Sequence, residues 1–349
     1  MRILLVLFLA VGVHTVVSVC LLRMAVRKER WKSLLRKKFP YPITKIAHRG
    51  GSLLGPENTI YTFTQDAKNG LCDMIELDVR KSKDGQIVVC HDCTLERTCG
   101  PEYVGMAVSD LVVGENPSNT LPQCKRTIDL EFCTCNIKQY EASDSIPVDD
   151  TTRICLLSEV CKKFPSMPLH VDIKDEGKGF VAAVLNLLAV YRRESVTFVG
   201  SSRPKNQRFI NEYFAEREPE SRKRYRIFVG PCDFFRTYLL FYTGLLPYFS
   251  IHYDVFSIPV FTSTMKKYAA RRYGRVVAAV GAFFFSSPLL WKYLQSRGVA
   301  VIGWNLNDPV DILQGIQWPL NGLMSDDPIK LHQLIEANKE VNMLNVIVD

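Results

Sequence analysis

The sequence predicts an α/β fold, a (β/α)8 or TIM barrel with an N-terminal transmembrane helix and two insertions. Three observations predict it. Beyond residue 44, short β-branched runs alternate with helical patterns, as in a parallel sheet built from βα units. Eight such runs occur: KIAH, MIELDV, IVVCHD, LHVDIK, TFVGSS, YRIFVG, VAVIGWNL and GLMSD. Eight strands close a barrel whose functional residues sit at the C-terminal strand ends. Finally, Ile3 to Leu22 is uncharged and nearly all apolar.

At about 1.5 Å per residue, that first stretch is long enough to cross a hydrocarbon core of roughly 30 Å. Arg23, Arg27, Lys28, Arg30, Lys32, Arg36, Lys37 and Lys38 follow it, and only Arg2 precedes it. The positive-inside bias then places the C-terminal bulk on the cytosolic side, with the basic cluster near anionic headgroups. A cleaved signal peptide is the alternative, with Ser18 near its end. Against it, the run is long for a signal and its basic residues come after rather than before. The expected division is an anchor at 1–24, a basic juxtamembrane linker at 25–43, a barrel at 44–336 and a tail at 337–349.

With 349 residues, 47% hydrophobic and 23% charged, the chain can bury a large core. Its formal net charge of +8 suggests an anionic partner. Because the basic residues crowd beside the apolar run, that partner is expected to be membrane lipid and not nucleic acid. The eleven cysteines are odd in number and irregularly spaced, as in a protein with reduced thiols. Cys90 and Cys93 form a CxxC, and Cys133 and Cys135 a CxC. Neither a second CxxC nor a histidine pair at zinc spacing completes a structural zinc site.

Two stretches are too long for simple connections. Residues 95–152 are polar and Cys-containing, without clear period, and read as a subdomain over the barrel mouth. Residues 231–288 contain YLLFYTGLLPYFSI, interrupted by Gly244 and Pro247. Those breakers suggest a re-entrant or interfacial element, with a cap helix packed on the barrel as the alternative.

The chemistry is carried by strand ends. Glu76 and Asp78 in MIELDV are spaced i, i+2, so both side chains leave one face of a strand. Acids in an apolar strand are costly unless compensated, and a divalent cation is the usual remedy. The spacing recurs in LHVDIK with Asp172 and Lys174. A barrel would point both pairs into one bowl, where three carboxylates suit Mg²⁺ or Ca²⁺ and Lys174 suits a phosphate oxygen. His48 in IAHRGG and His91 in VVCHD also end predicted strands. Paired with carboxylates, they fit a general acid and base for phosphoryl transfer. Arg49 offers a planar fork for phosphate, and Gly50 and Gly51 permit the tight exit of the chain.

HRG, PENT, ELDV and DGQIVVCHDCTLERTCG, in that order, resemble the glycerophosphodiester phosphodiesterase family. The likeness continues through LHVDIK and GWNLN to GLMSDDP, so it spans most of the chain after residue 44. YTGLLPYF and the N-terminal anchor look like its membrane-bound lysophospholipase D branch. The resemblance implies His48 and His91 as the acid/base pair and Glu76, Asp78 and Asp172 as metal ligands. It implies Arg49 and Lys174 as phosphate contacts and Trp304 as an aromatic near the substrate. Glu57 and Asn58 match the motif supporting the first turn, although Asn58 is equally well placed as a helix N-cap. Two departures stand out: Asp172 where many members have glutamate, and Ser325 where threonine is common. Residues 95–152 and 202–225 match poorly.

What the resemblance implies is a metal-dependent attack of the substrate's own 2-hydroxyl on phosphorus, through a cyclic phosphate that water opens. Only lyso or deacylated glycerophosphodiesters have that hydroxyl free. The expected substrates are lysophosphatidylcholine or N-acyl lysophosphatidylethanolamine, yielding lysophosphatidic acid and the free alcohol. The endoplasmic reticulum is the expected compartment. The alternatives are hydrolysis of water-soluble glycerophosphodiesters to glycerol 3-phosphate, an inactive lipid-binding scaffold, and a phospholipase C acting on inositol lipids.

Overall fold

The computed structural model describes residues 30–127 and 146–338, together with 17, 18 and 20. The expected anchor, three residues apart, lies outside the described residues, as do Cys133, Cys135 and the tail from 339.

In chain order, α1 (Arg30–Lys38) leads to β1 (Lys45–Ala47), α2 (Ile60–Asn69) and β2 (Met74–Lys81). A hairpin partner β3 (Ile87–Val89) precedes the first insertion, which returns at β4 (Cys155–Leu156) and α3 (Leu157–Lys163). Then come β5 (Leu169–Ile173), α4 (Lys178–Val190), β6 (Thr197–Gly200), α5 (Pro204–Ala215) and β7 (Arg226–Ile227). They are followed by α6 (Pro231–Tyr242), β8 (Val255–Pro259), α7 (Ser263–Tyr273), α8 (Arg275–Phe285) and α9 (Pro288–Ser296). The chain ends with β9 (Ala300–Trp304), α10 (Pro309–Gln317), β10 (Gly322–Ser325) and α11 (Pro328–Ala337).

Eight parallel staves run in the order β7-β6-β5-β2-β1-β10-β9-β8. An isolated parallel bridge between Phe228 and Val255 joins the two ends, so the barrel is nearly closed. The staves read as near-continuous apolar runs because both their faces are covered. Outward, Leu77, Val171 and Val199 pack against Val184 and Leu188 of α4 and Ile210 of α5. Inward, Ile46, Met74, Phe198, Ile302 and Met324 fill the lower barrel above Leu35 and Phe39. Lys38, ending α1, pairs with Asp254 at 2.6 Å and donates to Gly298 O at 2.9 Å. Both partners precede staves, so α1 plugs the N-terminal end and leaves the C-terminal end open.

The eight predicted strands need correction. IVVCHD forms β3, which pairs antiparallel with β2 and is not a stave. The missing stave is β8, whose Ser257 and Pro259 interrupt its apolar pattern. It divides the 231–288 stretch that reads as one insertion. A short apolar run carries no mark of the direction in which it pairs. The count of eight therefore came from one false stave and one missed one.

Among the described residues, Arg275–Ser296 is the one helical run with the length and composition to cross a membrane, at 22 residues and mean hydropathy 1.4. Yet Ser286 and Ser287 break it into α8 and α9. Leu290, Trp291 and Leu294 of α9 are buried in the barrel's outer core.

Asp66 on α2 is fully buried, and neither carboxylate oxygen has a partner among the described residues. Burial raises its pKa well above the usual carboxylate range. Above about pH 4 the unfolded chain releases a proton that the folded protein keeps, so the site costs stability increasingly until the folded pKa is passed. Asp66→Asn keeps the shape and removes that ionisation. Thermal unfolding from pH 4 to 8 should show an advantage for the variant that widens as pH rises; a gap constant with pH would refute this.

Candidate active site

The site is built on the C-terminal ends of the staves. After β1 the chain turns sharply through His48, Arg49, Gly50 and Gly51. Gly50 has φ +73°, and a Cβ there would lie 2.3 Å from the Phe63 ring. Gly51 has φ +82°, with Pro328 only 2.8 Å from where its Cβ would be. Only glycine fits this turn, which folds the Arg49 backbone back so that its N–H donates to Glu76 Oε2 at 2.8 Å.

Register sets the next layer. Glu76 on β2 lies opposite His170 on β5, and Asp78 opposite Asp172. Residues two apart share a face, so all four side chains enter the bowl. A cavity of about 350 Å³ results, lined by His48, Arg49, Glu76, Asp78, His91, His170, Asp172, Lys174 and Trp304. All eight side chains read from the sequence as catalytic, metal-binding or substrate-binding thus line one cavity.

Its two sides differ. Every charged lining residue comes from the β1–β5 part of the barrel. The β7–β9 part contributes Phe228, Val229, Phe234, Pro259 and Trp304.

Each histidine is held by a carboxylate. His48 Nδ1 lies 2.6 Å from Asp326 Oδ1, and Asp326 also accepts from Ser52 Oγ and Asn307 Nδ2, both at 2.7 Å. Burial disfavours the imidazolium, but the Asp326 and Glu76 charges outweigh it and raise the His48 pKa. Asp326 is pushed down despite burial, chiefly by His48. His91 Nδ1 lies 2.7 Å from Asp92 Oδ1, and Arg97 Nε donates to the other Asp92 oxygen at 2.5 Å.

Lys174 Nζ sits between Asp172 Oδ2, at 2.7 Å, and Asp78 Oδ1, at 2.9 Å. Burial opposes ionisation of Asp78, and Lys174, His91 and Arg49 overcome it, so its pKa falls. Glu76 goes the other way: burial, then the Asp78 charge, push it up. Two carboxyl groups this close, one raised by the charge of the other, form an oxygen-only donor set that suits a hard cation. Among the described residues, however, no three acidic, histidine or cysteine side chains converge as an ion's ligands.

The remaining expected residues lie behind the cavity wall. Arg49 Nη1 pairs with Glu57 at 3.1 Å, and Arg97 grips both Glu57 oxygens at 2.7 Å. Asn58 donates to Asp78 Oδ2 at 3.1 Å. It is not the α2 cap, because Thr59 accepts from the Thr62 N–H in that role. Asn58 adopts φ 59° and is spent on the Asp78 carboxylate.

Four participants escaped sequence reasoning. Asp92 and Arg97 sit inside DCTLERTCG, and Asp326 inside GLMSDDP, but only the fold shows which of them meets a histidine. His170 is buried and stacks on Phe228 at 4.5 Å, with neither ring nitrogen partnered among the described residues. Burial pushes its pKa down to about 4. Its i, i+2 relation to Asp172 was the available signal.

Comparison with known proteins shows the family to which this chain is similar. The family model described as "Glycerophosphoryl diester phosphodiesterase family" matches residues 48–227. The chain is 30% identical to lysophospholipase D GDPD1 of Homo sapiens over 310 residues, covering 86% of this chain and 88% of that protein. It is 26% identical to lysophospholipase D GDPD3 of Mus musculus over 303 residues, with 86% and 84% covered. Among solved structures, a glycerophosphodiester phosphodiesterase from Agrobacterium tumefaciens superposes with TM-score 0.52 at 18% identity, covering 83% of this chain and all of that one. An Oleispira antarctica phosphodiesterase in complex with the product sn-glycerol-3-phosphate gives 0.51 at 18% identity, covering 85% and 97%.

Removing the Asp326 charge takes away the strongest influence that holds the His48 pKa up against burial, leaving Glu76 alone to oppose it. In Asp326→Asn the His48 pKa, followed by NMR of the ring, is expected to fall; an unchanged titration would show that Asp326 does not set it.

Proposed function

From the premise that the chain belongs to the glycerophosphoryl diester phosphodiesterase family and is a phosphoric diester hydrolase, we propose that it is a lysophospholipase D. The observation that carries this reading is the division of the cavity. A charged half suits a phosphodiester headgroup, and an aromatic half suits the first part of an acyl chain. Lysophosphatidylcholine and N-acyl lysophosphatidylethanolamine combine both, and they would yield lysophosphatidic acid and the free alcohol.

In this scheme the substrate's free 2-hydroxyl oxygen bonds to phosphorus while the bond from phosphorus to the leaving alcohol breaks. One histidine of the His48 and His91 pair takes the hydroxyl proton, and the other gives a proton to the departing oxygen. Water then opens the cyclic phosphate with the roles reversed. Asp326 and Asp92 fix the two rings through Nδ1, which leaves each Nε2 for proton transfer. Lys174 and Arg49 supply positive charge for the phosphoryl oxygens. Glu76, Asp78 and Asp172 offer the carboxylates for a divalent cation, Mg²⁺ or Ca²⁺, which they would hold once Lys174 no longer bridges Asp78 and Asp172, and which would supply further charge neutralisation at phosphorus. Glu57 and Asn58 hold Arg49 and Asp78 in place. We further place the catalytic domain on the cytosolic side of the endoplasmic reticulum, behind the basic N-terminal flank.

The test uses purified full-length protein in detergent with lysophosphatidylcholine and Mg²⁺ or Ca²⁺, assaying choline and lysophosphatidic acid. Metal-dependent release of both is expected, lowered about 10²–10⁴-fold in His48→Ala and in His91→Ala. Diacyl phosphatidylcholine, whose 2-hydroxyl is esterified, should not turn over. Release from it would sink the mechanism, and turnover confined to glycerophosphocholine would replace the lipid substrate with a soluble one.

A further inference from the structure

We propose that the outer face of α6 and α8, flanked by the basic face of α7, docks on an anionic lipid bilayer and seats the cavity mouth against it. The proposal goes beyond the reading of the substrate, because it concerns where the protein rests and is measured without turnover.

The two helices form one unit. Tyr238 and Tyr242 of α6 donate their hydroxyls to the Phe285 and Phe284 carbonyls at 2.8 and 2.6 Å. Phe234, Phe235 and Tyr238 place their rings 5.1–6.1 Å from that of Phe285. The inner side of this unit is therefore satisfied, and the outer side is not. Phe235 is 60% exposed, Leu239 65%, Val276 76%, Val280 51% and Phe283 74%. The short segment after α6 adds Tyr248 and Phe249, also exposed. A contiguous apolar surface of this kind marks a site of contact with protein or membrane.

Charge decides between those two. From 255 to 307 the sequence contains no aspartate or glutamate, but seven lysines and arginines. Lys266, Lys267, Arg271, Arg272 and Arg275 are exposed on α7 and at the start of α8, and none makes an ion pair among the described residues. On α6 the one acid, Asp233, pairs with Arg236 at 3.9 Å, so an apolar face bordered by exposed basic residues that make no ion pair is left, the pattern of an element lying in the interface of an anionic membrane. Spanning is excluded by length and attachment. At about 1.5 Å per residue the eleven residues of α8 reach roughly 16 Å, against a core of roughly 30 Å. Beyond it, α9 is fixed in the barrel core by Leu290, Trp291 and Leu294.

The docking face is continuous with the site. Phe234 lines the cavity and also packs on Phe285. An apolar path thus runs from the phosphodiester site to the membrane-facing surface.

The test reconstitutes full-length protein in phosphatidylcholine vesicles with about 30% phosphatidylserine and a photoactivatable phosphatidylcholine, and maps adducts by mass spectrometry. Adducts are expected on α6 and α8 as well as at the N-terminal stretch. Val276→Ser with Phe283→Ser should cut the α6 and α8 adducts at least about fivefold, and Arg271→Glu with Arg272→Glu should do so in the anionic vesicles only. Both variants should hydrolyse a short-chain lysophosphatidylcholine below its micellar concentration at the unaltered rate. Adducts confined to residues before 24 overturn the proposal. So does self-association that disappears in the serine variant, which would assign the face to a second copy. Enzyme inactive on every lipid but labelled on α8 would uphold docking while refuting the substrate.

Discussion

Everything at this site depends on gathering Glu76, Asp78, Asp172 and Asp326 at one end of a barrel. Like charges so close and so little exposed repel strongly, and each also loses hydration. The surrounding structure answers this one carboxylate at a time. Lys174 bridges Asp78 and Asp172, His48 neutralises Asp326, and Asn58 and the Arg49 amide donate to Asp78 and Glu76. Glu76 receives least from the protein, and its carboxyl is the one pushed up. The turn at Gly50 and Gly51, the register of β2 on β5 and the half-buried Glu57–Arg97 pair all serve to hold these donors in place.

Much of that arrangement was legible in the chain because strand period is a local property. Glu76 with Asp78, and Asp172 with Lys174, announce a common face from spacing alone, and a parallel register then sets the two pairs side by side. What spacing cannot show is which distant segment supplies the partner. Asp326 lies 278 residues from His48 and meets it only because β10 is the neighbour of β1. Asn58 illustrates the converse. Its position before a helix is right for a cap, but Asp78 competes for its amide and Thr59 takes the capping role.

The strand assignment shows a different limit. β3 looks like a stave because apolar three-residue runs are alike in either direction. Its antiparallel pairing instead roofs the first insertion with a small core of Val88, Leu95, Val108 and Ile154. β8 hides because its inward positions, Ser257 and Pro259, belong to the cavity wall. A stave that gives up bulky apolar side chains to open a cavity loses the signal by which staves are found, so function itself erased the pattern.

The same opening explains the asymmetry of the bowl. Gly200 on β6 has the Phe228 ring where a Cβ would be, at 2.7 Å, so the absence of that side chain lets the aromatic lie across the cavity and stack on His170. His170 is thereby shielded and driven toward its neutral form, which keeps an added cation away from the apolar half. Charge is confined to the β1–β5 side and aromatic surface to the β7–β9 side. α6 rises directly from the aromatic side, so the apolar lining continues outward onto a helix whose far face is also apolar. A headgroup-and-chain division inside the barrel and an exposed apolar face outside it are thus two ends of one surface, organised around Phe234.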